Sequence, residues 1–224
     1  MSDETEEQKK LMRQIDISCV QAFHTMDEID AMVELAKKYR LAAVFTLPAF
    51  SAHVAERLQD TREIHAGGVV SFPGGGQKKW QAKELWEAGC REIDMVMNLT
   101  AFRSHEFSYV KEELLAIREQ VPSAIFKVII EAPQLTEQEI CQAVDLCVEG
   151  RADYVKTSTG WYPGCPSTVE QVRIMSREAA GRIQIKAAGG IRSLETIQEM
   201  QKAGCSRFGM GMRSVQNLIK SIYK

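Results

Sequence analysis

The sequence lacks the features that mark membrane-bound, secreted and nucleic-acid-binding proteins. No apolar run approaches the length of a membrane span. The net charge of −2 gives no basis for a nucleic-acid or membrane-surface partner. The first ten residues, MSDETEEQKK, are acidic and polar, unlike a signal peptide. These absences predict a cytoplasmic protein with no nucleic-acid partner and no membrane partner.

Disulfide, metal and nucleotide chemistry also have no basis in the sequence. The six cysteines include no CxxC pair, which favours free thiols in a reducing compartment. The glycine run at 74–76 has neither GxGxxG nor Walker spacing. We therefore predict that the protein uses no metal and no cofactor. The four histidines lack ligand spacing and are predicted to be surface residues in loops or helices: His24, His53, His65 and His105.

What the sequence does contain is a regular alternation of short apolar strand patterns and amphipathic helical patterns. Residues 1–12 are a polar lead-in, either frayed or helical. Eight strand-then-helix units with short connections predict one domain of the α/β class, a (β/α)8 TIM barrel. A doubly wound open sheet is the alternative. The predicted strands are Ile15–Val20, Ala42–Leu47, Gly68–Phe72, Glu92–Asn98, Ile125–Glu131, Asp153–Thr157, Ile183–Ala188 and Arg207–Met210, and the helix after the fourth is predicted from Ser104 to Gln120.

Four consecutive predicted strands carry a charge where parallel barrels usually have valine, isoleucine or leucine: Asp94, Lys127, Lys156 and Lys186. Lys156 stands near the end of its strand, in the segment ADYVKTSTG. Side chains alternate between the two faces of a strand, so inward-pointing faces would bring one acid and three lysines together. A structural salt-bridge network is one alternative, and a lysine at the rim of the barrel is another.

Simple electrostatics favours chemistry at such a cluster. Two ammonium groups about 5 Å apart repel by about 3 kcal/mol at an effective dielectric near 20. That energy corresponds to roughly two pKa units, which moves a lysine from about 10.4 towards 8, and desolvation acts in the same direction. A partly neutral lysine attacks a carbonyl to form a Schiff base. Lys156, at a strand end beside the lysine of the next strand, is the predicted nucleophile.

Glycine-rich loops follow the last two predicted strands, AAGGIR at 187–192 and FGMGM at 208–212. In TIM barrels these loops commonly bind phosphate through backbone N–H groups. A plain turn is the alternative for such glycines, and Arg213 has the alternative of simply starting the last helix. The predicted phosphate contacts are Gly189, Gly190, Gly209, Gly211, Arg192 and Arg213.

Five segments in this order and spacing resemble the deoxyribose-phosphate aldolase family of class I aldolases. The combination of VKTSTG with KAAGGIR is the most specific part of this resemblance. The resemblance covers nearly the whole chain and implies a TIM barrel that reversibly cleaves 2-deoxy-D-ribose 5-phosphate to acetaldehyde and D-glyceraldehyde 3-phosphate. The segments are VVSFPGG from Val69, EIDMVMN from Glu92, KVIIEA from Lys127, DYVKTSTG from Asp153 and IKAAGGIR from Ile185.

The resemblance also implies roles for individual residues. Lys156 would form the Schiff base, and Lys186 would depress its pKa. Asp94 would take part in proton transfer through a water, and Lys127 would hold Asp94. Asp16 matches the family's first-strand aspartate, here in DISC rather than DHT or DLT. Two residues of the VKTSTG motif complete the predicted substrate contacts, Thr157 and Gly160. A homodimer is expected from the family.

Two loops depart from the family pattern. Met210 and Met212 flank Gly211 where the family has serines, so two hydroxyl donors are missing and Arg213 could replace them. The loop GGGQKKWQAK lacks the family's threonines and is more basic. Two alternatives therefore stay open: a Schiff-base aldolase of the same fold acting on another sugar phosphate, and a non-catalytic sugar-phosphate sensor.

Overall fold

A computed structural model of the chain describes residues 5–74 and 76–223. Its eight strands pair in parallel in chain order, and β8 pairs with β1 to close the barrel. The predicted (β/α)8 barrel is therefore confirmed, and the open doubly wound sheet is wrong. The strands are β1 Ile15–Cys19, β2 Ala43–Thr46, β3 His65–Val70, β4 Glu92–Val96, β5 Ile125–Ile129, β6 Tyr154–Lys156, β7 Gln184–Ala188 and β8 Arg207–Gly211.

Within these described residues the chain forms ten α-helices. Residues 1–4 of the predicted lead-in and Gly75 of the glycine run lie outside the described residues. The rest of the lead-in is helical from Glu6, with Thr5 forming a capping box. The helices are α1 Glu6–Met12, α2 Met26–Tyr39, α3 Ser51–Arg57, α4 Lys78–Glu87, α5 Leu99–Arg103, α6 Phe107–Gln120, α7 Glu137–Glu149, α8 Val169–Ala179, α9 Leu194–Lys202 and α10 Met212–Ile222.

Three local predictions differ from the structure. The third strand begins at His65 rather than Gly68, and it ends before Ser71, whose φ of 57° turns the backbone away from the sheet. His65 is thus a strand residue and not part of a loop or helix. The helix predicted from Ser104 begins at Phe107 instead, and a separate short helix capped by Asn98 ends at Arg103, with His105 between them at a φ of 61°.

Along each strand, successive side chains point to opposite sides of the barrel wall. On β5, Phe126 and Val128 point outward and pack in the apolar layer between the strands and the helices. Lys127 lies between them and points into the barrel, where it pairs in register with Asp94 of β4. Lys156 and Lys186 are neighbours in the same way on β6 and β7. In the described part of the chain, no helix is long and apolar enough to cross a bilayer.

Candidate active site

Seven charged side chains fill the centre of the barrel, where a TIM barrel usually packs branched apolar residues. Three are acids and four are bases, and each belongs to an ion pair inside the barrel. We call this set the charged column: Asp16, Glu92, Asp94, Lys127, Lys156, Lys186 and Arg207.

Asp94 is the centre of the upper half of the charged column. Its Oδ2 accepts hydrogen bonds from Lys156 Nζ at 2.7 Å and from Lys186 Nζ at 2.6 Å. Its Oδ1 lies 3.2 Å from Lys127 Nζ. Burial by itself would raise the pKa of Asp94, but the three lysines outweigh burial and hold this pKa well below its usual range. The structure thus brings together the acid and the three lysines that the sequence predicted to converge.

The lower half of the charged column contains two residues that the sequence reading missed. Arg207 donates to Asp16 at 2.6 Å and to Glu92 at 2.7 Å. Glu92 also accepts from Lys127 and lies 2.9 Å from His65 Nδ1. Glu92 and Arg207 carried the same signal as the other charges, since Glu92 shares the face of Asp94 two residues away. Arg207 also stood within a predicted strand.

The pKa of Lys186 is lowered although its ammonium forms ion pairs with Asp16 and Asp94. Burial is the largest cause and lowers the pKa of Lys186 to about 8. Lys127 and Lys156 add to this effect, while Asp16 and Asp94 oppose it. The centroid of the Phe45 ring lies 4.4 Å from the Lys186 ammonium. Desolvation therefore contributes more to the lowered pKa of Lys186 than repulsion by the neighbouring lysines does.

Lys127 titrates in the opposite sense. Burial disfavours its ammonium, but the carboxylates of Asp94, Glu92 and Asp16 outweigh burial and raise the pKa of Lys127. It lies below Asp94 and does not line the cavity above. Lys127 is therefore a fixed positive charge that supports Asp94 from inside the barrel.

A cavity of about 420 Å³ opens above the charged column at the C-terminal ends of the strands, a size suited to a small ligand. Lys156 lies at its floor together with Asp94 and Lys186. The side chain of Lys156 is 8% exposed, against 1% for Lys186. Nearly all the predicted substrate contacts line this cavity: Asp16, Gly160, Gly189, Gly190, Arg192, Gly209, Gly211 and Arg213.

Thr157 is the predicted substrate contact that lies elsewhere. Its side chain is fully buried, and its Oγ1 donates to the Ala188 carbonyl at 3.0 Å. The same oxygen accepts from the Ala188 N–H at 2.9 Å and from Ser167 Oγ at 2.8 Å. Thr157 therefore joins β6 to β7 from behind the cavity. Strand alternation accounts for this position, because the residue after an inward-pointing Lys156 points away from the barrel interior.

The side of the cavity that the sequence predicts to bind phosphate combines glycine backbone with arginine. Gly189 and Gly190 have φ values of 91° and 82°, and a Cβ at Gly189 would lie 3.0 Å from Ser158 Oγ. Glycine is thus required at Gly189 both for conformation and for space. Arg192 and Arg213 are exposed at the cavity edge, and neither forms an ion pair with the residues described. Arg213 stands in the first turn of α10 and still lines the cavity.

The fold and this site define the class of TIM-barrel proteins that have a cavity at the C-terminal ends of the strands, here with an accessible lysine at its floor. The model of the DeoC/LacD family of aldolases matches residues 2–219. The chain belongs to this family.

Individual relatives agree with the family match. The chain is 38% identical to a deoxyribose-phosphate aldolase of Klebsiella pneumoniae over 95% of its length and 88% of the relative's. A solved putative deoxyribose-phosphate aldolase from Coccidioides immitis superposes with a TM-score of 0.92 at 31% identity, covering 97% of this chain and 87% of that one. The tetrameric deoxyribose phosphate aldolase of Aeropyrum pernix gives 0.87 at 25% identity, covering 96% and 92%.

Proposed function

We propose that this aldolase reversibly cleaves 2-deoxy-D-ribose 5-phosphate to acetaldehyde and D-glyceraldehyde 3-phosphate through a Schiff base on Lys156. The observation that carries the assignment is the position of Lys156. Of the three lysines around Asp94 it is the most accessible, and its Nζ lies at the cavity floor. The substrate is supported by the relatives that carry this activity in their names.

The reaction follows from the chemistry of an amine at that position. The neutral Lys156 amine adds to the C1 carbonyl of the open-chain sugar, and loss of water gives the protonated Schiff base. The bond between C2 and C3 then breaks, and its electron pair moves into an enamine on Lys156. The C3 hydroxyl loses its proton as glyceraldehyde 3-phosphate leaves. Protonation of the enamine at C2 and addition of water release acetaldehyde and restore the amine.

Proton transfer in these steps is assigned to Asp94 and Lys186 together. Asp94 stays ionised because its pKa is held well below its usual range, so by itself it is a weak base. Lys186, bonded to the same Oδ2 at 2.6 Å, has a pKa of about 8, close to neutral pH. A water bridging this pair to the substrate is the proposed proton carrier.

Reductive trapping tests the covalent step. Incubation with acetaldehyde and borohydride, followed by peptide mass spectrometry, is expected to place an ethyl group on Lys156. Lys156→Met is the control and is expected to show no adduct. An adduct confined to another lysine would contradict the assignment. Absence of any adduct in the wild type would favour the non-catalytic sensor, and a panel of sugar phosphates separates the proposed substrate from the alternative ones.

The phosphate group is assigned to the backbone of Gly189, Gly190 and Gly211 and to Arg213. Met210 and Met212 offer no side-chain donor, so Arg213 is expected to provide the charged contact. Such contacts are worth roughly 1.5–3 kcal/mol. Arg213→Ala is therefore expected to raise KM for 2-deoxyribose 5-phosphate about ten- to a hundredfold and hardly change activity on 2-deoxyribose. Equal effects on both substrates, or none, would exclude Arg213 from the site.

Location and assembly complete the proposal. All six cysteines are free, as expected in a reducing compartment such as the cytoplasm. A homodimer is the proposed assembly, and a tetrameric relative supports self-association in general. Sedimentation at micromolar concentration tests the homodimer, and a monomer or a tetramer would contradict it.

A further inference from the structure

Glu131 is a buried carboxylate beside the active site that the proposed reaction does not use. It follows β5 and has a φ of 54°, in the left-handed region that glutamate rarely adopts. Its side chain is almost completely buried. No ion pair involves Glu131 among residues 5–74 and 76–223, so hydrogen bonds must stabilise its polar end. A strained, buried residue of this kind needs a reason.

The carboxylate of Glu131 binds the segment that directly follows Lys156 and Thr157. Its Oε1 accepts from Ser158 Oγ at 2.6 Å and from the Thr159 N–H at 3.2 Å. Its Oε2 accepts from Thr159 Oγ1 at 2.7 Å. Both oxygens are therefore committed to a single stretch of chain.

The two hydroxyl groups extend this binding further along the chain. Ser158 Oγ accepts from the Gly160 N–H at 2.9 Å, and Thr159 Oγ1 accepts from the Trp161 N–H at 3.1 Å. Each hydroxyl must then direct its own proton towards Glu131. One carboxylate thus fixes four consecutive residues, and an amide in its place could accept from only one hydroxyl while presenting a donor to the other.

The fixed segment forms one wall of the cavity. Thr159 and Gly160 line it, and Gly160 packs so closely on Gly189 that a Cβ there would lie 3.2 Å from the Gly189 Cα. Trp161 packs edge-on against Phe72 at a centroid distance of 5.9 Å. The position of Glu131 therefore determines how the wall beside Lys156 meets the glycine loop of β7.

We propose that Glu131 is a positioning residue that holds residues 158–161 in the geometry needed for turnover. The inference rests on the proposed function, because it concerns the wall of the same cavity. Glu131 acts through Ser158 and Thr159 and touches no reacting atom. Misplacement of a substrate by about 1 Å is enough to cost on the order of a hundredfold in rate.

Glu131→Gln is the direct test, with cleavage, thermal unfolding and acetaldehyde trapping measured on the same samples. We expect kcat/KM to fall about ten- to a hundredfold, alike for 2-deoxyribose 5-phosphate and 2-deoxyribose. Trapping on Lys156 should stay within a few-fold of wild type. The like effect on both substrates separates Glu131 from the phosphate contacts.

The chain offers a matched control in Glu139. This glutamate also accepts from a threonine hydroxyl and a backbone N–H, at 3.0 and 2.8 Å from Thr136, but it does not line the cavity. Glu139→Gln should leave kcat/KM unchanged. Thr159→Val removes one partner of Glu131, and the double variant with Glu131→Gln should be less impaired than the sum of the single effects.

The outcomes separate this inference from the proposed function. A wild-type protein that neither cleaves nor traps would overturn the proposed function. With an active wild type, full activity of Glu131→Gln would overturn the positioning role. The positioning role would also be overturned if activity fell only in proportion to the folded fraction of the protein. Strictly additive effects of Glu131→Gln and Thr159→Val on kcat/KM would overturn it as well. If Glu131→Gln does not fold, Thr159→Val must by itself lower kcat/KM about tenfold, and wild-type activity there would also overturn the role.

Discussion

The two faces of the barrel strands differ in chemistry although both are buried. On β5, Phe126, Lys127 and Val128 are all fully buried, yet the first and third pack against helices while the second meets carboxylates. The outward face stabilises the fold by removing apolar area from water, at about 25 cal/mol per Å². The inward face bears a desolvation penalty that its ion pairs must offset. Burial alone therefore does not tell a structural face from a reactive one.

The sharpest way to test this difference is to remove the amine and keep its volume. Lys156→Met should lower kcat on the order of a thousandfold or more, because the covalent route is lost. The free energy of unfolding should change little, since Lys127 and Lys186 still pair with Asp94. Kinetics and urea unfolding on one preparation check both statements. Activity within tenfold of wild type would show that Lys156 is not the nucleophile.

Neighbouring residues on β5 allow a direct comparison of the two faces. Phe126→Ala opens a cavity, and Lys127→Met removes the buried cation that Asp16, Glu92 and Asp94 share. Each should lower the free energy of unfolding by about 3–5 kcal/mol. Turnover per folded molecule should survive in Phe126→Ala and fall in Lys127→Met. An equal loss of turnover per folded molecule in both variants would contradict the proposed functional difference between the two faces.

Acid should weaken the inward face before the outward one. The pKa values of Asp94 and Glu92 are lower in the folded state than in the unfolded chain. Their contribution to stability is therefore complete above the ordinary carboxylate pKa of about 4 and is lost as the pH falls towards the folded values. Urea midpoints of the wild type should fall between pH 6 and pH 3. Asp94→Asn should flatten that decline and should retain trapping better than turnover. An equally steep decline of the urea midpoint in Asp94→Asn would show that Asp94 does not cause the acid sensitivity.

The smallest expected effect is a shift in pH dependence caused by the charge beside the nucleophile, separate from the turnover that Lys186→Met loses with its proton-transfer group. Lys186→Met removes a positive charge one strand away from Lys156, so the acidic limb of the pH–rate profile should move upward. Stopped assays across pH 5–10 measure the position of this limb, and Lys202→Met, at an exposed residue, is the control. An unchanged limb in a folded variant would rule out the like-charge effect.

The sequence by itself determined the barrel and the convergence of Asp94 with three lysines, because strand alternation and parallel order decide where those side chains point. The tertiary structure decided the rest. Closure of β8 against β1 brings Arg207 to Asp16, 191 positions away in the chain. Burial rather than repulsion proved to be the main cause of the lowered pKa of Lys186. The hydrogen bonds of Glu131 to Ser158 and Thr159 depend on the left-handed backbone of Glu131, which no side-chain pattern in the sequence predicts. Contacts of this kind join residues far apart in the chain, and only folding sets their distances.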